Sequence, residues 1–159
     1  MINKLKLRGG SIESFVSWCG ALPAPETSNN PLGYKFSWSP KGVLMASIAD
    51  ATYMLNNTQV NIKGSQLWKN TQEIKLFPGL ALEGVPNRDS IKYAEQYDIA
   101  DTVQTIFRGT LRYVGFAEVM GALVDIGLVD DITKYDALDA SSDKVITWVS
   151  PLIAIITHI

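Results

Sequence analysis

Thr102-Val103-Gln104-Thr105-Ile106-Phe107-Arg108-Gly109-Thr110-Leu111-Arg112-Tyr113 reads as a strand. Successive side chains on a strand alternate between its faces. Arg108, Thr110 and Arg112 therefore share one face. Phe107, Leu111 and Tyr113 share the other, and Gly109 leaves space among them. The second set is a natural core face. The first presents two guanidinium forks flanking a hydroxyl, a cradle suited to a carboxylate. The same spacing also suits a solvated face whose arginines pair with surface acids.

Downstream, Phe116 to Leu128 is the clearest helix, with Val119, Leu123 and Ile126 on one stripe and Gly127 near its end. Upstream, Pro86-Asn87-Arg88-Asp89-Ser90 is a turn that either holds Arg88 rigidly for ligand contact or is a plain polar surface turn. Ser90 is placed to cap a helix running through Tyr97. Ala81–Val85, Glu73–Phe77 and Val60–Ile62 read as short strands. Lys41 to Leu55 carries Val43, Leu44, Ile48 and Ala51 at helical spacing, and Asn56-Asn57 ends it.

The stretch from Gly20 to Pro40 holds four prolines, each of which disfavours helix. A long irregular segment in a compact domain is usually functional or disordered. Its aromatics (Tyr34, Phe36, Trp38) have surface to bury, which argues against disorder. Trp38 offers a flat face to a nicotinamide or sugar, or else fills core beneath the loop. Ser11 to Trp18 alternates as a strand, and residues 1–8 read as the last turn of a helix capped by Gly9-Gly10. Elements of mixed length without regular βαβ spacing predict an α+β fold. The expected sheet is mixed and largely antiparallel, with helices on one face, the loop across an edge and no Rossmann domain.

The bulk properties narrow the function. A chain of 159 residues with 47% hydrophobic and 19% charged residues is ordinary globular material. A formal net charge of −2 gives no global pull toward nucleic acid or acidic membranes. Cys19 is the single cysteine, so no intrachain disulfide forms. One cysteine and one histidine, His158, do not make a zinc site of the usual kind or a hydrolytic triad. No signal peptide or membrane span is expected, which points to the cytoplasm. Neither G-x-G-x-x-G nor a P-loop occurs.

Four stretches are recognisable together: Cys19-Gly20-Ala21-Leu22-Pro23-Ala24-Pro25-Glu26; Asn30-Pro31-Leu32-Gly33-Tyr34-Lys35-Phe36-Ser37-Trp38-Ser39; Pro86 to Ser90; and Arg108 to Tyr113 with Gly115-Phe116. In this order and spacing they closely resemble the substrate-binding middle domain of saccharopine dehydrogenases of the NADP-dependent, glutamate-forming kind. The same unit occurs in aminoadipate semialdehyde synthases. The resemblance implies reduction by NADPH of the imine between glutamate and aminoadipate semialdehyde, giving saccharopine. It implies that Arg88, Arg108, Thr110, Leu111 and Arg112 bind substrate and that Trp38 lies near the cofactor; it assigns no catalytic acid or base.

It also implies a division of the chain. Residues 1–10 are expected to be the junction with a missing Rossmann domain, 11–129 the substrate domain, and 130–159 an unmatched tail. NADP would then be held only with a Rossmann domain from elsewhere, either a separate chain or another part of an assembly. Without that cover, Leu22, Leu32, Tyr34, Phe36 and Trp38 are expected to lack partners from this chain, which favours self-association. The competing function is a non-catalytic carboxylate-binding or interaction module from a truncated gene.

Overall fold

The computed structural model describes residues 1–37 and 39–129. In chain order the elements are α1 (Ile2–Lys6), β1 (Ser14–Cys19), α2 (Pro40–Ser47), β2 (Ala51–Leu55), β3 (Thr58–Ile62), β4 (Gln72–Ile74), β5 (Leu82–Pro86), α3 (Lys92–Gln96), β6 (Thr105–Tyr113) and α4 (Phe116–Asp125). A 3-10 segment, Gly64–Asn70, joins β3 to β4. Trp38 and the stretch 130–159, including His158, lie outside the described residues.

β6 is the axis of the sheet, and both its edges are used. Along one edge β1 runs parallel, from Ser14 beside Thr105 to Cys19 beside Thr110. Along the other, β5 pairs antiparallel from Tyr113 to Gly109, and β2 takes over with Met54 opposite Ile106. β3 and β4 extend this second side by antiparallel pairing to β2 and β5. One parallel pair in an otherwise antiparallel sheet, with short helices, is the mixed α+β fold the sequence predicts.

The alternation along β6 sorts the core. Ile106 belongs to a cluster with Ala94, Ile99 and Val103, which packs α3 on the face that carries Arg108, Thr110 and Arg112. Val85, opposite Thr110 and so on the same face, packs with Leu67 of the 3-10 segment. α4 joins this face as well, since Glu83 accepts from the Ala117 N–H at 2.6 Å. On the other face Leu111 packs with Ile74, Leu82 and Trp18. Trp18 lies across Gly84 and Gly109, where a Cβ would fall 2.3 and 2.1 Å from its ring. The helices thus gather on the arginine face.

Three local expectations are corrected. The predicted helix over Lys41–Leu55 stops at Ser47, and Ala51–Leu55 is β2. Asp50 fixes the switch by accepting from the Gly64 N–H and from Lys63 Nζ, both at 2.8 Å. Asn56 and Asn57 do not end a helix. With φ of 49° and 61° they form the tight turn of the β2–β3 hairpin, the left-handed pair that asparagine tolerates. Finally, Ser90 does not cap α3. Asp89 Oδ1 takes the Ile91 N–H at 2.9 Å, while Ser90 Oγ accepts from the Arg108 N–H at 2.9 Å. Ser90 therefore fills the gap on the β6 edge where β5 hands over to β2.

The Gly9 reading matches the structure. Gly9 has φ 75°, its N–H reaches Lys6 O, and the Gly10 N–H reaches Leu5 O, closing α1 with a Schellman turn. The long loop crosses the C-terminal end of β6, where Tyr113 Oη donates to Pro23 O at 2.7 Å. Its side chains are not without partners in the chain: Tyr34 is 4% exposed and stands edge-on to Phe116, and Leu22 and Leu32 pack against core clusters. Asn30 pins this turn of the loop, with its Nδ2 donating to Tyr34 O at 2.8 Å and its Oδ1 accepting from the Leu32 N–H. Phe36 stays 42% exposed.

Candidate functional site

A cleft of about 560 Å³ opens over the arginine face of β6. Arg88, Arg108, Thr110 and Arg112 all line it, so the turn and the strand converge on one space as the alternation predicts. Leu111 does not bring its side chain there. It points into the opposite core, and its carbonyl accepts from Arg112 Nη1 at 2.7 Å.

Arg88 occupies a special backbone position. Its φ is 49°, in the left-handed region that most residues avoid. Hydrogen bonds on both sides hold it there: Asn87 N–H to Arg108 O, Thr52 N–H to Arg88 O, and Ser90 N–H to Thr52 O. The turn thus straddles the handover between β5 and β2 and aims Arg88 into the cleft. Asn87 has a second task. Its Nδ2 donates to Thr110 Oγ1 at 2.9 Å, which leaves the Thr110 hydroxyl proton free to donate to a ligand.

Arg112 is half-buried. Its guanidinium carbon lies 4.6 Å from the centroid of the Tyr34 ring and 5.1 Å from that of Phe116. Burial pushes its pKa below the ordinary arginine value, with Tyr34 and Cys19 acting in the opposite direction. Its Nε is buried and has no hydrogen-bond partner among the described residues. Arg108 lies over the ring of Tyr93 at 4.0 Å.

Lys92 adds a fourth cation to the lining, and no aspartate or glutamate is among the lining residues. The ion pairs found among the described residues, Lys6–Asp98, Lys63–Asp50 and Lys75–Glu73, all lie elsewhere. Four cations without an acidic partner among the described residues, in a chain of net charge −2, create a local field opposite to the global one. The chemistry this supports is recognition of anions, with flat guanidinium forks matched to carboxylates. No group of three or more potential metal ligands occurs among the described residues.

Sequence reasoning did not single out Asn87, Lys92, Tyr93 or Cys19 for the cleft. Lys92 and Tyr93 open α3 just after the Arg88 turn and reach the cleft through the seating of that helix on the sheet. Cys19 pairs with Thr110 in parallel register, which required knowing that β1 lies beside β6.

The N-termini of α2, α3 and α4 do not suit a nucleotide pyrophosphate. Such a group needs free backbone N–H groups. Ser39 Oγ accepts from the Gly42 N–H at α2, Asp89 from the Ile91 N–H at α3, and Glu83 from the Ala117 N–H at α4. Two of these caps are carboxylates, which would repel phosphate.

Fold and cleft together define an α+β domain with a cation-lined cleft. The family model for the saccharopine dehydrogenase C-terminal domain matches residues 1–153, and the chain belongs to that family. The match takes in the first ten residues and much of 130–159 as well as the stretch 9–129 that carries the motifs. The chain is 50% identical over 148 residues to the mitochondrial alpha-aminoadipic semialdehyde synthase of Rattus norvegicus, covering 92% of this chain and 16% of that protein. It is 49% identical over 133 residues to the NADP(+), L-glutamate-forming saccharopine dehydrogenase of Schizosaccharomyces pombe, covering 84% and 29%. Among solved structures, the apo L-Glu-forming saccharopine dehydrogenase of Saccharomyces cerevisiae superposes with a TM-score of 0.75 at 43% identity, covering 84% of this chain and 30% of that one. The chain thus spans less than a third of the length of each of these relatives.

Proposed function

We propose that the cleft binds the carboxylates of saccharopine, or of the glutamate and aminoadipate semialdehyde that form it, in an NADP-dependent saccharopine dehydrogenase reaction of lysine metabolism. The observation that carries this reading is the cluster of Arg88, Lys92, Arg108 and Arg112 on one cleft with no acidic residue lining it. Saccharopine has three carboxylates, so it calls for several cations in one place. Arg88 and Arg108 hold one carboxylate group, Arg112 a second, and Thr110 donates its hydroxyl proton beside them. Leu111 contributes backbone only. The catalytic acid or base is not assigned to this chain.

The cofactor's phosphates belong to a Rossmann domain, in the same protein or in a separate chain, because side chains already take backbone N–H groups at the starts of α2, α3 and α4. NADPH would supply the hydride when bound there; this domain orients the substrate and covers the reacting centre, and Trp38 is the residue the family resemblance assigns to the cofactor. Among the described residues no helix is long and apolar enough to cross a membrane. We place the protein in the cytoplasm, with the single unpaired Cys19 as support; the word mitochondrial belongs to the rat relative's name.

Calorimetric titration of the chain with saccharopine tests the reading. Binding is expected, weakening as salt rises because exposed charge pairs are screened. Binding that is absent, or that survives Arg108→Met combined with Arg112→Met, would refute it.

A further inference from the structure

We propose that Tyr93 is a positioning residue, one that orients the Arg108 guanidinium for a substrate carboxylate while leaving its charge uncompensated. The proposal rests on the cleft being the substrate site.

Arg108 has two kinds of support, and neither is an acid. Its backbone N–H is fixed to Ser90 Oγ at 2.9 Å, and its guanidinium carbon lies 4.0 Å from the centroid of the Tyr93 ring. Lys92 Nζ lies 5.6 Å from the same ring. The ring is itself anchored: it packs with the cluster of Ala94, Ile99, Val103 and Ile106, and meets Tyr97 at 5.7 Å between centroids.

A guanidinium has two separable surfaces. Its face stacks on aromatic rings, and its edge carries all five N–H donors. A carboxylate placed by the fold would also hold Arg108, but it would consume the edge and cancel the charge. A ring takes only the face. It fixes the plane of the fork and leaves the whole edge and the full charge for an incoming carboxylate. Arg112 repeats the device on Tyr34 and Phe116, so the cleft's two strand arginines share one mode of support. Tyr93 is the better probe because Tyr34 is a core residue at 4% exposure.

The experiment combines one spectrum with one thermodynamic cycle. In the NMR spectrum of the free chain, the Arg108 δ-methylene protons are expected upfield of those of Arg8 and Arg88 through the ring current of Tyr93, as those of Arg112 are through Tyr34 and Phe116. Their absence from that position overturns the proposal without any variant. Saccharopine dissociation constants are then measured for the wild type, Tyr93→Phe, Tyr93→Leu, Arg108→Met and the Tyr93→Leu, Arg108→Met pair. Tyr93→Phe keeps a ring face and is expected to bind like the wild type. Tyr93→Leu is expected to weaken binding about three- to tenfold, the scale of a cation–π contact. That loss should vanish in the Arg108→Met background. A loss that persists there would show a general structural role and overturn the proposal. Equal binding by wild type and Tyr93→Leu overturns it with the cleft reading intact; failure of the wild type to bind removes both.

Discussion

Arg112 sits between Tyr34 and Phe116 with a buried Nε that has no partner among the described residues. A half-buried charge of this kind is costly to the fold and useful to a ligand. Arg112→Met is therefore expected to leave the melting temperature unchanged or raise it. Saccharopine affinity should fall about 10- to 100-fold, the loss of a charged hydrogen bond worth roughly 1.5–3 kcal/mol. Thermal denaturation and calorimetry on the same sample separate the two effects. Arg88 allows a second such separation. Its left-handed φ of 49° costs a non-glycine residue on the order of 1 kcal/mol. Arg88→Gly should thus be more stable than Arg88→Ala by about that amount in urea denaturation, with both losing affinity. The arginine face was legible from alternation along β6 alone. The strain at Arg88 was not, because no local signal marks an arginine whose backbone is set by β2 and β6 together.

At the scale of elements, Gly109 shows how closely the sheet is packed. A Cβ there would lie 2.1 Å from Trp18 Cζ3 and 2.7 Å from Phe107 Cε1. Gly109→Ala is expected to destabilise the chain by about 1–3 kcal/mol, the usual scale of overpacking, read as a lower midpoint in urea. The junction between α2 and β2 depends on Asp50. Hydrogen bonding from Lys63 first, and then from the Gly64 N–H, lowers its pKa below the ordinary 3.8. The unfolded chain takes up the proton before the folded one does. The stabilisation is therefore present above about pH 4 and is lost as pH falls through the lower folded value. Asp50→Asn should lower the melting temperature at pH 7, and the gap should shrink in acid. Spacing alone misread this region as one helix, since Val43, Leu44, Ile48 and Ala51 fit a 3.6-residue period. What overrides it is non-local: Asp50 reaches Gly64, and Asn56-Asn57 closes a hairpin whose pairing a helical stripe does not reveal.

At the scale of the molecule, the domain gathers four cations on one cleft, and side chains occupy backbone N–H groups at the starts of α2, α3 and α4. The purified chain is expected to show no NADPH oxidation with glutamate and aminoadipate semialdehyde in a spectrophotometric assay, and adding the Rossmann domain of a relative in trans should restore it. The fold class followed from the order of short strands and helices, and the family from four motifs in register. The cleft's remaining lining followed from neither, because Cys19 and Tyr93 arrive through the β1–β6 pairing and the seating of α3 against Ile106. The central claim, that this cleft holds substrate carboxylates, is tested most directly by a crystal structure of the chain with saccharopine. A carboxylate within about 3 Å of the guanidinium groups of Arg108 and Arg112, the range of charged hydrogen bonds, is the predicted result. Saccharopine bound away from the arginine face, or excluded from the crystal at saturating concentration, would contradict it.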